Sequence, residues 1–530
     1  MASTISVVRP RTERPSPPTA PRRRTSRAVL VALAIVATLT CIGTVLMAKF
    51  WPFSQRDVVQ DLEEASDSQV TVRSYHPTYF PIPGCVLEGV EFRHGNRQFR
   101  LITIDRLRIE GSYSGILARH VPRVNADGAH VFIPPFGSGM NFHSQHSGLV
   151  IDELIANGSS VEFLSDDHRE PPVRFDVHDA LLTHVQWGSP ISYQLKFRNP
   201  NPPGEIAVAG KFGPWADGHH EDTPMSGEYT FTQADLSVYG GISGMLASHG
   251  KFEGVLKRIN VSGTTDTPDF QVEDGGPPVR LTSKFDAHVD ATHGDTFLNR
   301  VEAKFGRTQI IAEGSVAGVQ GKTGKQTNVK LISRHGRIED ILGLFTTDRS
   351  PMSGDVSLQT KAELPSGDSA FLQRVKLDGA FGIDAGSFTK EDTQKDVNSL
   401  SAGARGEHKE DPETVLTDLT GKVNLVRGVA TFTDLRFGVP GARAHMQGTY
   451  NIINYKIDLH GRMRVDTKIS KTSSGMKSFL LKLMDPIFRK KKTGEVVPVH
   501  IIGTYQKPQF GLDLGNGEKA PPRRNAPSQH

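Results

Sequence analysis

The chain has 530 residues and a formal net charge of +4, of which residues 1–27 carry +6 and residues 515–530 carry +2. The remainder is therefore net negative by four charges, which argues against a nucleic-acid-binding body and predicts no nucleic-acid partner. Of its two cysteines, Cys41 falls inside an apolar run and Cys85 far outside it, so we predict no internal disulfide.

The N-terminal residues predict a membrane anchor. Residues 1–27 are rich in Pro, Arg and Ser and are predicted to form a disordered, basic cytoplasmic arm. Residues 28–48 are 21 consecutive residues without a charge. As a helix they span ~31 Å, close to the ~30 Å hydrocarbon core of a bilayer. The arginines before this run place the N-terminus in the cytoplasm and the rest of the chain across the membrane.

A cleaved signal peptide is the alternative to this anchor, which we assign to residues 28–50. Signal peptides have apolar runs of ~7–15 residues and a cleavage site between small residues. Here the run is longer, and Leu46 is too large for a small-x-small site ending at Ala48. These features favour an uncleaved anchor.

A short helix and then β structure are predicted beyond the anchor. Residues 54–68 place Val58, Val59 and Leu62 on one helical face. From residue 69 to residue 514, short apolar runs alternate with Gly, Pro, Asn and Asp clusters, which predicts roughly 25 strands. We divide the chain into the arm, the anchor, a β region over 51–514 with a distinct C-terminal segment over 419–514, and a disordered tail over 515–530.

The strongest strand signal is the run from Tyr455 to Asp466, in which apolar and charged residues alternate over twelve positions. Residues 285–292 and 355–364 show the same period of two. Such strands suit antiparallel sheets with one apolar and one solvated face. The periodicity alone leaves open whether the apolar face is exposed or is the closed core of a sandwich.

Two helices and one repeat interrupt this pattern. Residues 337–345 and 477–488 predict short helices, and the basic run 489–492 follows the second. For this second helix we favour a cap at the end of a sheet over a helix that lies on a membrane.

Residues 261–274 and 501–514 share the pattern x-G-T-x-x-x-P-x-F-x-x, which predicts stacked units, each with a strand, a proline turn and a returning strand.

No motif in the sequence meets the requirements of a catalytic site. His219-His220-Glu221-Asp222 lies between prolines and lacks the helical spacing of a zinc protease. His143 and His146 lie in a Gly/Ser-rich loop. Gly321-Lys322-Thr323 lacks the first glycine of a phosphate loop, and Gly241-Ile242-Ser243 lacks the last glycine of a nucleophile elbow. We therefore predict a protein that is not an enzyme and has no metal or cofactor.

Several segments in this order resemble the AsmA family of bacterial envelope proteins. The segments that carry the resemblance are Thr78–Phe92, Leu101–Leu117, Asp235–Phe270, Leu419–Ile452 and Val497–Phe510. The resemblance implies a single-pass inner-membrane protein with a periplasmic body. It also implies a mainly β fold, in which an elongated, curled antiparallel sheet forms an open groove with an apolar inner face and has few short helices.

This resemblance also implies a function and its partners. Family members are linked to outer-membrane assembly and to the passage of phospholipid between membranes, so the expected partners are membrane phospholipid and outer-membrane assembly proteins. A scaffold of the same fold is the alternative, and a β-fold hydrolase is a third reading. The residues predicted to line the groove are Phe285, Val289, Val356, Leu358, Tyr455, Ile457, Leu459, Met463, Val465, Val497, Val499 and Ile501.

Overall fold

The structure is a computed structural model. The residues that it describes are 53–94, 99–113, 120–135, 149–164, 172–216, 218–273, 275–319, 324–347, 350, 352–367, 369–388, 417–439, 442–465, 494, 496–504 and 507–512. The predicted arm, the anchor over 28–50, the helix over 477–488 and the tail over 515–530 lie outside them. Within the described ranges, no helix combines the length and the hydrophobicity needed to cross a membrane.

Short helices and 25 strands make up the described chain. The helices are α1 (Gln55–Ser66), α2 (Ile338–Gly343) and α3 (Phe371–Arg374), with 3-10 turns at His220–Asp222 and Leu236–Tyr239. The strands are β1 (Ser68–Thr78), β2 (Gly84–His94), β3 (Phe99–Glu110), β4 (His120–Ile133), β5 (Val150–Ile155), β6 (Ser159–Phe163), β7 (Val173–Gln186), β8 (Ile191–Pro200), β9 (Pro203–Phe212), β10 (Pro224–Asp235), β11 (Ile242–Ser243), β12 (Met245–Val255), β13 (Arg258–Val272), β14 (Val279–Asp290), β15 (Asp295–Phe305), β16 (Thr308–Gly318), β17 (Lys325–Arg337), β18 (Met352–Leu364), β19 (Lys376–Phe388), β20 (Thr417–Val426), β21 (Val429–Val439), β22 (Ala442–Asn451), β23 (Lys456–Val465), β24 (Val496–Thr504) and β25 (Lys507–Leu512).

The strands form one large, curled and mostly antiparallel sheet. The chain divides into two compact units, residues 1–58 and 59–530, and all strands belong to the second. Successive strands pair with each other, except that β5 and β6 both lie parallel beside β4 and both pair with β7. The two-residue β11 pairs with the end of β13, and β10 pairs directly with β12. The predicted mainly β, antiparallel fold with few short helices is confirmed.

The register places apolar side chains of neighbouring strands on one face. Residues directly opposite each other in an antiparallel ladder lie on the same side of the sheet. Following the pairs from β8 to β24 connects one row of half-buried residues, which we call the apolar row. Its members are Leu195, Val208, Tyr229, Gly250, Gly263, Phe285, Val301, Ala312, Leu331, Thr360, Gly379, Val423, Phe432, Gly448, Leu459 and Ile501.

β-Bulges keep apolar residues on this face where the alternation of the sequence changes phase. In β21, the residues on the apolar face have even numbers up to Phe432 and odd numbers from Leu435 onward. A register shift between these two residues causes the change. Asp434 lies in this bulge with a φ of 58°, a left-handed conformation that Asp tolerates better than most residues. In β15, a register shift between Leu298 and Val301 likewise keeps both residues on the apolar face. Without the extra residue, Leu435 and Val301 would face solvent.

The repeated motif adopts two different structures. In its second copy β24 and β25 are separate antiparallel strands, but Pro508 lies within β25 opposite Gly503, so the prediction that proline sets the turn is wrong there. It is also wrong for the first copy, because β13 continues through Pro268. A register shift between Thr267 and Phe270 places Pro268 in a bulge, where the missing N–H of proline leaves no ladder hydrogen bond unmade.

Helices α1 and α2 begin where the sequence predicts, whereas α3 was not predicted. Ser54 Oγ accepts a hydrogen bond from the Asp57 backbone N–H at 3.3 Å, which caps α1. The predicted helix over 337–345 is α2, with Glu339 and Asp340 in its first turn, where the helix dipole favours negative charge. Tyr455 lies just before β23 with a φ of 59°, so it ends a turn and is not part of the strand that we predicted from it.

The N-terminal strands have a closely packed interior. Cys85 is a free cysteine with no exposed surface, and Leu87, Val90 and Leu107 are at most 3% exposed. Burial raises the pKa of the Cys85 thiol to about 12, so the thiol stays protonated and unreactive. Cys41, for which we predict no disulfide with Cys85, lies outside the described residues.

A carboxylate network fixes α2 to the ends of the strands around it. Glu339 binds Arg307 at 2.6 Å and Arg337 at 2.8 Å, and it accepts the Gly354 backbone N–H at 3.2 Å. Burial alone would raise the pKa of Glu339. Hydrogen bonds from backbone N–H groups and from Arg337 more than offset this effect, so that the pKa lies below its usual value of 4.5.

We predict that Glu339→Gln makes this end of the sheet less stable at neutral pH and less sensitive to acid. A lowered pKa means that the carboxylate stabilises the fold above the unfolded pKa and that this stability is lost as the pH falls through the folded pKa. Hydrogen exchange of β17 and β18, corrected for the intrinsic effect of pH, measures the change. If acid loosens the wild type and the glutamine variant equally, Glu339 is not the responsible group.

Candidate functional site

A concavity of about 1020 Å³ lies against the strands from β5 to β14. Its lining follows the apolar row and includes Leu195, Val208, Tyr229 and Phe285. These four side chains are half-buried, and the lining also includes exposed residues such as Gln194 and Lys284. The concavity therefore combines apolar character with access from solvent.

The tyrosine hydroxyls at the concavity and beside it are hydrogen-bonded within the protein. Tyr193, 8% exposed, donates to the Ser226 carbonyl at 3.2 Å, and burial raises its pKa to about 12. Tyr229 lies 3.1 Å from Ser248 Oγ, which donates to the Thr264 carbonyl. Burial raises the pKa of Tyr229, and the Ser248 hydrogen bond offsets part of this rise. Both tyrosines are therefore uncharged at neutral pH.

Hydroxyl groups continue beside the apolar row on the same face. Ser248 is opposite Thr265, and Thr265 is opposite Ser283, with 2.6 Å between the last two hydroxyl oxygens. Ser248 is itself buried. Paired hydroxyls of this kind cost little to place near an apolar surface, because each satisfies a hydrogen bond of the other.

Towards the C-terminus the same face is packed more tightly. One buried cluster consists of Ile338, Val356 and Ile383. A second consists of Leu435, Ala444, Met446 and Val499, and Phe381 and Leu419 pack against both clusters. The apolar face is thus continuous, but it is closed in these places and accessible in others.

The predicted groove residues divide between these environments. Phe285 lines the concavity, and Val289 lies on the same face of β14. Val356, Val497 and Val499 are buried, between 3% and 6% exposed. Half-buried positions further along the face are Leu358, Ile457, Leu459, Met463 and Ile501, and Tyr455 is half-buried in the turn before β23. Val465 pairs with Ala442 at the end of β23.

Sequence reasoning missed the residues at the centre of the concavity. Leu195, Val208 and Tyr229 lie between Leu117 and Asp235, outside the segments that carry the family resemblance. A signal for them exists, because Tyr193, Leu195 and Phe197 alternate with polar residues over five positions of β8. That run is too short to stand out without its partner strands.

The acidic loop that resembled a ligand cluster is an ion-paired turn. Asp222 binds Lys257 at 2.5 Å, and His219 lies 3.7 Å from Glu221. His219, Glu221 and Asp222 are the one group among the described residues with ligand atoms close enough to share a metal ion, all within 4.8 Å. The side chains of His219, Glu221 and Asp222 are 40–75% exposed, and a metal ion would have to compete with Lys257 for Asp222. This arrangement favours the solvated loop.

The remaining sequence motifs that resemble catalytic ones do not form a site among the described residues. Ser243 lies in β11 opposite Gln271, and so it is not in the strand-to-helix turn of a nucleophile elbow. His143, His146 and residues 321–323 lie outside the described residues.

Comparisons with known proteins do not identify a relative: no family model, no curated protein and no solved structure matches this chain. The AsmA resemblance therefore stays a prediction from the segments named above.

We predict that aspartate substitutions separate the closed and the accessible parts of the apolar face. Val499→Asp places an unpaired charge in a buried cluster and should destabilise β21–β24 by several kcal/mol, roughly 3 or more. Ile457→Asp, at a half-buried position of the adjacent strand, should leave the fold intact. Hydrogen exchange of β21–β24 measures both effects. Equal loss of protection in the two variants would show that Ile457 is also part of a closed core.

Proposed function

We propose that the protein is an AsmA-type, inner-membrane-anchored periplasmic protein that binds phospholipid along an open apolar groove of its β-sheet. The concavity at β5–β14 is the observation that carries the proposal. In this view its apolar row receives acyl chains, and the outer polar face contacts water.

The chemistry of the concavity supports an apolar ligand. Leu195, Val208, Tyr229 and Phe285 offer carbon-rich surface, and the nearby tyrosines are uncharged. Each CH₂ group of an acyl chain that leaves water contributes ~0.8 kcal/mol. Transfer from a bilayer to such a surface exchanges one apolar environment for another, so it needs no chemical step. The protein is therefore proposed to be a lipid-binding protein and not an enzyme.

The length of the row supports passage along the sheet as well as binding. Sixteen residues, one per strand, form the row, and strands spaced ~4.8 Å apart extend it over roughly 70 Å of sheet. The buried clusters around Val356 and Val499 interrupt access, and they are assigned here to stabilising the fold. A purely structural scaffold is the competing function, because such clusters are what a closed core would contain.

The test compares two residues on opposite faces of β8. Leu195→Asp adds a charge to the concavity, whereas Ser192→Asp adds the same charge to the other face, outside the lining of the concavity. The full chain, purified in detergent, is titrated with a fluorescent phospholipid. Lipid held by the predicted anchor is the same in both variants, so their difference reports the concavity.

We expect Leu195→Asp to lower the affinity about tenfold or more, because a carboxylate beside an acyl chain loses hydration without gaining a partner. Ser192→Asp should bind like the wild type. Equal binding by all three proteins, with folding verified by circular dichroism, would favour the scaffold.

A further inference from the structure

Three hydroxyl side chains interrupt a second row of apolar residues beside the apolar row. This second row lies on the same face of the sheet, two residues along each strand from the apolar row, which is a separation of about 7 Å. Following the strand pairs from β7 to β16, its members are Val177, Phe197, Ile206, Phe231, Ser248, Thr265, Ser283, Ala303 and Ile310. Three consecutive positions of this row are therefore polar, with apolar residues on both sides of them.

One hydroxyl hydrogen in this group has no acceptor in the described part of the protein. Ser248 donates its single hydroxyl hydrogen to the Thr264 carbonyl at 3.1 Å, so the hydroxyl of Tyr229, also 3.1 Å away, must donate to Ser248. Thr265 and Ser283 lie 2.6 Å apart, and one of them donates to the other. Because each hydroxyl has one hydrogen, the hydrogen of the accepting hydroxyl is left over. We call Thr265 and Ser283 the hydroxyl pair.

The remaining hydrogen of the hydroxyl pair lies where a ligand can reach it. Both residues of the pair are half-buried, whereas Ser248 is 8% exposed. Ser283 is two residues from Phe285 on the same face of β14, and Phe285 lines the concavity. The pair is therefore directly beside the concavity. A donor without an acceptor in partly buried surroundings costs free energy, which an acceptor atom on a ligand would recover.

A further hydroxyl on the same strand shows that acceptors are scarce in this part of the face. Thr267 is two residues beyond Thr265 on the same face of β13, and it is 1% exposed. Its Oγ1 has no hydrogen-bond partner among the described residues. Thr267 is too deeply buried to contact a ligand itself. Its orphaned hydroxyl nevertheless indicates that the hydroxyl pair has no protein acceptor nearby for its remaining hydrogen.

We infer that the hydroxyl pair binds the ester carbonyl of an acyl lipid whose chain lies in the concavity. The inference rests on the proposed function, because it concerns the same ligand. An ester-linked acyl chain is apolar except at its ester group, and the carbonyl oxygen there accepts hydrogen bonds but donates none. The pair offers one donor about 7 Å to the side of the apolar row. No Lys or Arg belongs to the second row, so this position suits a neutral carbonyl better than a phosphate.

The experiment compares two lipids that differ only in this carbonyl group. The full chain, purified in detergent and loaded with the fluorescent phospholipid, is titrated with unlabelled phosphatidylcholine. The competitor has either two ester-linked hexadecanoyl chains or two ether-linked hexadecyl chains, with the same headgroup. The ratio of the two competition constants measures the preference for the ester. Lipid held by the predicted anchor or by the detergent is the same for all variants.

We expect the wild type to prefer the ester lipid roughly threefold to tenfold, which is the effect of one hydrogen bond. The double variant Thr265→Val/Ser283→Ala should lose this preference and still fold, because replacing both partners of a hydrogen bond by apolar groups of similar shape costs little stability. Thr265→Ser keeps both hydroxyls and should keep the preference. The matched control Thr282→Val removes a hydroxyl from the other face of β14 and should bind both lipids like the wild type.

Three results would overturn the inference: equal affinity of the wild type for the two lipids, an ester preference that survives in the double variant, or its loss in Thr282→Val. Leu195→Asp separates these results from the proposed function. If this variant binds both lipids more weakly while the wild type shows no ester preference, the concavity binds lipid and the inference alone fails. If Leu195→Asp binds both lipids like the wild type, the proposed function fails and the inference fails with it.

Discussion

The structure depends on the register between neighbouring strands, which keeps apolar side chains on one face of the sheet from β8 to β24. Because the side-chain period of a strand is two, a slip of one residue in any ladder would turn its apolar residues to solvent. Bulges such as those at Asp434 and between Leu298 and Val301 correct the phase where the sequence changes it. The concavity and the buried clusters both follow from this one arrangement, because each lies at fixed positions relative to the apolar row.

The two faces of the sheet carry side chains of different chemistry. On the inner face, burial keeps Tyr193 and Tyr229 protonated and neutral. On the outer face, charged residues remain solvated and form exposed ion pairs, such as Arg280 with Asp266 at 2.6 Å. Such exposed pairs contribute little to stability. The burial of apolar residues and the ladder hydrogen bonds must therefore provide most of it, with local networks such as that of Glu339 fixing the ends of strands.

Much of the fold could be predicted from the sequence, because period-two runs such as the one from Lys456 to Val465 persist within single strands. The approximate number of strands and the positions of α1 and α2 could be predicted for the same reason. The continuous face could not, since a bulge such as the one before Leu435 breaks the alternation and only the partner strand shows why. Nor could the sequence distinguish Val499, which is buried, from Ile457, which is half-buried. That difference depends on contacts with Leu435, Ala444 and Met446 of β21 and β22, which lie more than 50 positions away from Val499 in the chain.

The central claim is that one face of the sheet is apolar and open to lipid while the other is not. It is tested most directly by placing a photo-crosslinking amino acid, one position at a time, at four sites. Leu195 and Val208 line the concavity, whereas Ser192 and Arg198 lie on the other face of β8, outside its lining. The full chain is then irradiated in its native membrane, and phospholipid adducts are measured by mass spectrometry. The account predicts adducts at Leu195 and Val208 and none at Ser192 and Arg198. Equal adducts at all four positions, or adducts at none of them, would contradict it.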